Sequence, residues 1–164
     1  QALLHHSRTP SQLLREVVVS CTDFPCAVKA LSASPLIDEN YYIVGGSAPG
    51  EGAVIARARD KAEDVWYLSP GNASDPSGWY RLQTNYDHWK QPPFFDNRRD
   101  PGRRCMDLLG ANNLSFPNLF NVLSGMPNLN RLTTFSAMMS VESGQMEAYQ
   151  QRCVEDYPLT CPPF

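Results

Sequence analysis

The stretch Tyr41-Tyr42-Ile43-Val44-Gly45-Gly46-Ser47-Ala48-Pro49-Gly50-Glu51-Gly52-Ala53-Val54-Ile55-Ala56-Arg57-Ala58-Arg59 decides how the chain is read. Ahead of it the apolar spacing is helical. Within it, β-branched and aromatic residues run together, stop at Gly45-Gly46, turn through Pro49-Gly50 and resume at Gly52. Two more such runs follow, Val65-Trp66-Tyr67-Leu68 and Gly78-Trp79-Tyr80-Arg81-Leu82-Gln83-Thr84. Four short strands separated by turn residues predict an antiparallel meander. Gly45-Gly46 lacks the Lys-Ser/Thr or third glycine of a phosphate cradle and reads as a turn.

On the N-terminal side, Pro10–Val19 reads as a helix with Thr9 as its cap and Pro10 in its first turn. A second helix follows Cys21-Thr22-Asp23-Phe24-Pro25-Cys26, with Phe24, Val28 and Leu31 on one face, and Pro35 ends it. On the C-terminal side, helices return at Arg103–Leu109 and at Phe116–Leu123, the latter capped by Ser115. Leu129–Val141 and Gln145–Arg152 then read as strands joined at Ser143-Gly144. The order helix, helix, four strands, helix, helix, two strands is α+β.

A chain of 164 residues with 42% hydrophobic content is long enough for a sizeable core. No apolar run approaches the ~20 residues of a membrane span. A net charge of -3 supplies no clustered basic surface, so no nucleic-acid partner is expected. The five cysteines, Cys21, Cys26, Cys105, Cys153 and Cys161, make an odd count, which leaves a free thiol or a bond to something outside the chain. Asn72-Ala73-Ser74 and Asn113-Leu114-Ser115 match the N-glycosylation acceptor. With the close cysteine pairs they favour a secretory route over chance matches in a cytosolic chain. In that setting Cys21 and Cys26 flank a helix joint and are expected to bridge, the alternative being two buried thiols. The proline-rich tail is expected to close through Cys153 and Cys161. Neither the histidines nor the cysteines have zinc spacing, so no metal or cofactor is expected. Gln1-Ala2-Leu3-Leu4 carries neither an initiator Met nor a signal-length apolar region, which reads as a processed chain or part of a longer one.

The most unusual stretch is Leu82-Gln83-Thr84-Asn85-Tyr86-Asp87-His88-Trp89-Lys90. A strand would deliver Asn85 at its end, where its amide could donate to a developing oxyanion or simply cap a turn. Spacing alone favours the turn. Asp87 and His88 are adjacent, so on extended chain they point to opposite sides and do not form a catalytic pair. His88 therefore reads as surface, and His5 and His6 lie near the terminus. In Phe94-Phe95-Asp96-Asn97-Arg98-Arg99 the arginines form solvated ion pairs, or one of them holds a carboxylate or lowers a thiol pKa.

Taken in order, Tyr42-Ile43-Val44-Gly45-Gly46, Glu51–Arg57, Gln83–Lys90 and Asp96-Asn97-Arg98-Arg99 resemble the acid ceramidase and N-acylethanolamine acid amidase family. These are lysosomal N-terminal-nucleophile amidases. The resemblance runs from about Thr9 to the C-terminus. Pro93-Phe94-Phe95, Leu129–Thr133, Gly144–Tyr149 and the closing cysteines look more like the ceramidase branch. It implies the C-terminal portion of an αββα fold and a single catalytic domain of which residues 1–164 are part. Asn85 matches the oxyanion-binding Asn, Arg98 the active-site Arg, Asn113 a glycosylated position and Cys105 a cysteine bridging to another chain. Cys21 and Cys26 look like an added staple, and Thr134-Phe135-Ser136-Ala137 replaces a more Tyr/Thr-rich strand. The family's nucleophile is a cysteine at the start of a β-subunit, which Gln1 cannot be. The expected partners are therefore an N-terminal α-subunit, the upstream β-subunit segment with the nucleophile, a lipid amide, and a membrane-surface or lipid-activator contact. The expected location is the lysosome or outside the cell. The chain alone is expected to be inactive. The other readings are an N-acylethanolamine-hydrolysing amidase and a non-catalytic lipid-binding homologue.

Overall fold

Thr9 starts the first helix as its residue type suggests: its hydroxyl accepts from Gln12 N at 3.1 Å, and α1 runs Pro10–Ser20. Asp23 does the same for α2, Phe24–Ala33, accepting from Cys26 N at 2.8 Å. A disulfide joins Cys21 to Cys26 across the joint, with their Cα atoms 5.5 Å apart. The computed structural model describes residues 7–69 and 76–150, which fall into two units divided between Arg81 and Leu82.

In the first unit, α2 packs on a three-stranded antiparallel sheet and α1 packs on α2. The strands are β1 (Asn40–Gly45), β2 (Gly52–Arg57) and β3 (Ala62–Tyr67), in that order. Ile43 opposes Val54, and Ile55 opposes Val65. The central strand β2 is buried along its whole length. Leu13 and Val17 of α1, Val28 and Leu31 of α2, and Leu36, Tyr42, Ala53 and Ile55 form one core. The Gly45-Gly46 segment is a hairpin turn, closed by Gly46 N on Glu51 O at 2.9 Å and by the Glu51 carboxylate on Ala48 N at 3.0 Å. Gly50 takes φ +83° there, a value that suits glycine.

Arg57 is a fold element. It is 3% exposed, and its guanidinium donates to the carbonyls of Ser32 and Ser34 at the C-terminal end of α2. Those carbonyls lack helical partners, and a cation suits that end of a helix. Burial draws the Arg57 pKa down from its ordinary value. Tyr42, also buried, donates its hydroxyl to Pro10 O at 2.8 Å, tying β1 to α1.

The expected fourth strand, Gly78–Thr84, does not form. Residues 76–79 are a turn, and the rest has no regular structure. Arg81 explains this: its guanidinium lies 4.6 Å over the Trp66 ring, and its Nε donates to Tyr67 O at 2.7 Å. The end of β3 is thus met by a side chain instead of a backbone ladder.

In the second unit, α4 (Phe116–Ser124) packs on both α3 (Arg99–Leu109) and β4 (Phe135–Met139). β4 pairs with β5 (Met146–Gln150) in a hairpin whose turn holds Gly144 at φ +69°. Met106, Leu109, Val122, Leu129 and Met138 are its buried apolar residues. The helix expected from Arg103 begins four residues earlier, because Pro101 falls in the first turn, where no N–H is needed. The strand expected over Leu129–Val141 is confined to Phe135–Met139. Asn130 turns the chain before it, its Oδ1 accepting from Leu132 N at 2.9 Å and its carbonyl from Thr133 N at 3.0 Å.

Cys105 is 4% exposed on the inner side of α3 and is disulfide-bonded. The expected Cys153–Cys161 pairing and Asn72 lie outside the described residues. Among the described residues, no helix is long and apolar enough to cross a membrane.

Candidate functional site

The site is built on the segment between Leu82 and α3, entirely within the second unit. Asn85 stands on irregular backbone and not at the end of a strand, so other contacts must fix it. Arg99 provides two of them, its Nη1 donating to His88 O at 3.1 Å and to Lys90 O at 2.7 Å. Gln83 adds two more, its amide donating to the carbonyls of Thr84 and Tyr86, each at 2.9 Å. The Lys90 ammonium lies 2.6 Å from the Asp87 carboxylate. Backbone carbonyls held by planar, multi-donor side chains give a loop some of the rigidity of a ladder.

Asp96 is the hub. It ends a one-turn 3-10 helix, Phe94–Asp96, with its N–H on Pro93 O at 3.1 Å. The Asn85 amide donates to Asp96 Oδ2 at 2.7 Å. Arg98 meets the same carboxylate at two points, Nε to Oδ1 at 3.0 Å and Nη2 to Oδ2 at 3.4 Å. The Tyr86 hydroxyl stands 3.5 Å from Oδ2. Asn97 secures the start of α3, accepting from Asp100 N at 3.1 Å and donating to the Asp100 carboxylate at 2.7 Å. Arg98 therefore projects from a fixed turn.

Asn85 and Arg98 are thus brought together through one shared carboxylate. Two neighbouring polar atoms, Asn85 Oδ1 and Thr84 Oγ1, are buried without a hydrogen-bond partner. Native structures hold few such atoms, and each asks for an explanation. An amide with one N–H anchored and a paired guanidinium beside it can present hydrogen-bond donors to a developing negative charge.

Other sequence candidates lie elsewhere. Asn113 is exposed on a 3-10 turn after α3, with Nδ2 donating to Leu109 O at 2.8 Å. Cys21 and Cys26 belong to the first unit. The His88 ring stacks edge-on against Trp89 at 4.8 Å. Among the described residues, no group of three or more His, Cys, Asp or Glu is placed to hold a metal ion. Asp96, Tyr86 and Arg99 were not singled out as individual site residues by sequence reasoning. Asp96 could have been found as the acidic residue two positions before Arg98, in range of a local pair.

Compared with known proteins, this chain is similar to enzymes that cleave amides and are named for acidic conditions. It is 43% identical over 140 residues to an N-acylethanolamine-hydrolyzing acid amidase of Cavia porcellus, covering 85% of this chain and 38% of that protein. It is 40% identical over 141 residues to an acid ceramidase of Balaenoptera acutorostrata scammoni, covering 86% and 35%. A probable acid ceramidase of Caenorhabditis elegans is 42% identical over 134 residues, covering 82% and 32%. The solved structure of a Caenorhabditis elegans N-acylethanolamine-hydrolyzing acid amidase ortholog matches with a TM-score of 0.73 at 30% identity, covering 87% of this chain and 61% of that one. No family model matches the chain. The chain is a homologue of the acid ceramidases and N-acylethanolamine-hydrolyzing acid amidases. It spans 32% to 38% of the length of these curated relatives. The α+β class read from the sequence holds, and the fold is shared with a solved amidase.

Proposed function

We propose that the complete protein is an acid amidase that hydrolyses ceramide to sphingosine and a fatty acid, with this chain as the C-terminal portion of its catalytic domain. One observation carries the reading: Asn85 and Arg98 share the Asp96 carboxylate, in a homologue of acid ceramidases and N-acylethanolamine-hydrolyzing acid amidases. The nucleophile is an N-terminal cysteine outside this chain, activated by its own α-amine. Its sulfur attacks the amide carbonyl, and the Asn85 N–H group receives the oxyanion. Collapse breaks the C–N bond, and the protonated amine leaves. Water then hydrolyses the thioester, returning the free cysteine and the fatty acid. Arg98 adds positive charge beside the thiolate.

The N-acylethanolamine reading stays close, since identities of 43% and 40% fall on either side of the substrate divide. A lipid amide also fits the exposed tip of the 3-10 turn. Phe94 is 94% and Phe95 77% exposed, immediately before Asp96, which supports contact with a membrane surface or a lipid-presenting activator. The disulfides and the exposed Asn113 support a lysosomal or secreted location. The remaining partners are an α-subunit and the upstream β-subunit segment.

The test assays the complete protein at acidic pH on ceramide and on N-acylethanolamine, with N-terminal sequencing of every chain in the active preparation. Hydrolysis with a chain beginning in Cys supports the reading, and faster turnover of one lipid selects the substrate. A preparation that binds both lipids, hydrolyses neither and has no chain beginning in Cys would identify the non-catalytic homologue instead.

A further inference from the structure

We infer that Asp96 is a positioning residue of this site, acting through Asn85: its carboxylate sets which face of the Asn85 amide meets the substrate. The inference rests on the reading of Asn85 as an oxyanion donor.

An asparagine can serve an oxyanion only with its NH2 side, because its carbonyl oxygen would repel the charge. Nothing in the shape of the side chain selects between the two flips, so the surroundings must. An ionised carboxylate accepts hydrogen bonds and cannot donate them. With Asp96 Oδ2 2.7 Å from Asn85 Nδ2, the flipped amide would set oxygen against oxygen at that separation. The Asn85 carbonyl oxygen is buried and unpartnered, so nothing on its own side holds the amide in place. The orientation is dictated from Asp96. Since the amide is planar, fixing one N–H also fixes the direction of the other, the one available to the substrate.

Asp96 is itself held. Arg98 grips both carboxylate oxygens, and the backbone of Asp96 is closed on Pro93 O. The Arg98 side chain is about a third exposed, as is that of Asp96, so the pair needs this two-point geometry to stay in register. The order of action runs from Arg98 through Asp96 to Asn85. Preorganisation of this kind is what a donor to a transient charge requires.

The experiment uses the complete protein carrying Asp96→Ala, Asp96→Asn, Asn85→Ala and the double Asp96→Ala/Asn85→Ala, with kcat and KM measured on one lipid amide in detergent micelles. Asp96→Ala is expected to lower kcat about 10- to 100-fold with KM within about threefold. Asp96→Asn keeps an acceptor for Asn85 and is expected to recover part of the loss. In the Asn85→Ala background, removing Asp96 is expected to cost clearly less than in the parent, because the route through Asn85 is gone and only its hold on Arg98 is left. Should Asp96→Ala destabilise the fold, Asp96→Leu, close in size and without an acceptor, carries the same comparison. The inference is overturned if kcat stays within a few-fold of the parent while Asn85→Ala loses activity, or if the Asp96 effect multiplies in full in the Asn85→Ala background. If Asn85→Ala itself is fully active, the reading of Asn85 falls, and this inference falls with it.

Discussion

The amide nitrogen of Asn85 lies 2.7 Å from Oδ2 of Asp96, eleven positions along the chain. The intervening loop has no ladder to hold it, so side chains that reach backbone carbonyls maintain this short contact. Arg99 is the main one. Arg99→Met should cost about 2 kcal/mol in denaturant unfolding of the complete protein, because the carbonyls of His88 and Lys90 would each be deprived of a charged donor. The larger effect should fall on kcat and not on KM. Unchanged kinetics would show that the loop keeps its shape without Arg99.

Arg57 is buried with its donors on Ser32 and Ser34. Arg57→Met leaves those carbonyls without these donors and should destabilise the protein by about 2–4 kcal/mol. Arg57→Lys should restore only part of this, since one ammonium does not reproduce a planar fork. Unfolding midpoints of the parent and both variants decide it.

Burial raises the Tyr42 pKa above the ordinary 10.0. A raised folded value means that its stabilisation is fully present below about pH 10 and is lost as pH climbs toward that folded value, because the unfolded chain ionises first. Tyr42→Phe should cost about 1 kcal/mol near neutral pH, from the missing hydrogen bond to Pro10 O. The gap between parent and variant should shrink as pH rises past the ordinary tyrosine value of 10.0. A gap that widens with pH would contradict the sign.

Phe94 and Phe95 stand exposed beside the site, their rings 5.5 Å apart and edge-on. Replacing both with Ser should weaken co-sedimentation of the complete protein with lipid vesicles by about tenfold or more. Hydrolysis of a short-chain, water-soluble amide should stay within about twofold. Equal loss on both assays would place these rings inside the substrate path, and no loss on either would remove the membrane contact from the proposal.

Much of the local structure was legible because single residues dictate it. Thr9 and Ser115 each cap the helix that follows them, and Pro49-Gly50 turns the first hairpin. Gly78–Thr84 misled for a physical reason: its aromatic and apolar residues have strand propensity, but Arg81 uses the edge of β3 for a cation–π and carbonyl contact. Leu129 looked like part of a strand because it is apolar, whereas the Asn130 turn follows it. Asn85 and Arg98 could be named only through the family that their motifs resemble. Their meeting on Asp96 depends on how a loop without regular structure closes, and no periodicity encodes that.

The central claim is that Asn85 supplies the oxyanion donor of a lipid amidase. Its most direct test is the acidic-pH turnover of ceramide and of N-acylethanolamine by the complete protein carrying Asn85→Ala. Loss of kcat by about 10²–10³ on the preferred lipid, with the fold intact, is the expected result. A rate within a few-fold of the parent would contradict it.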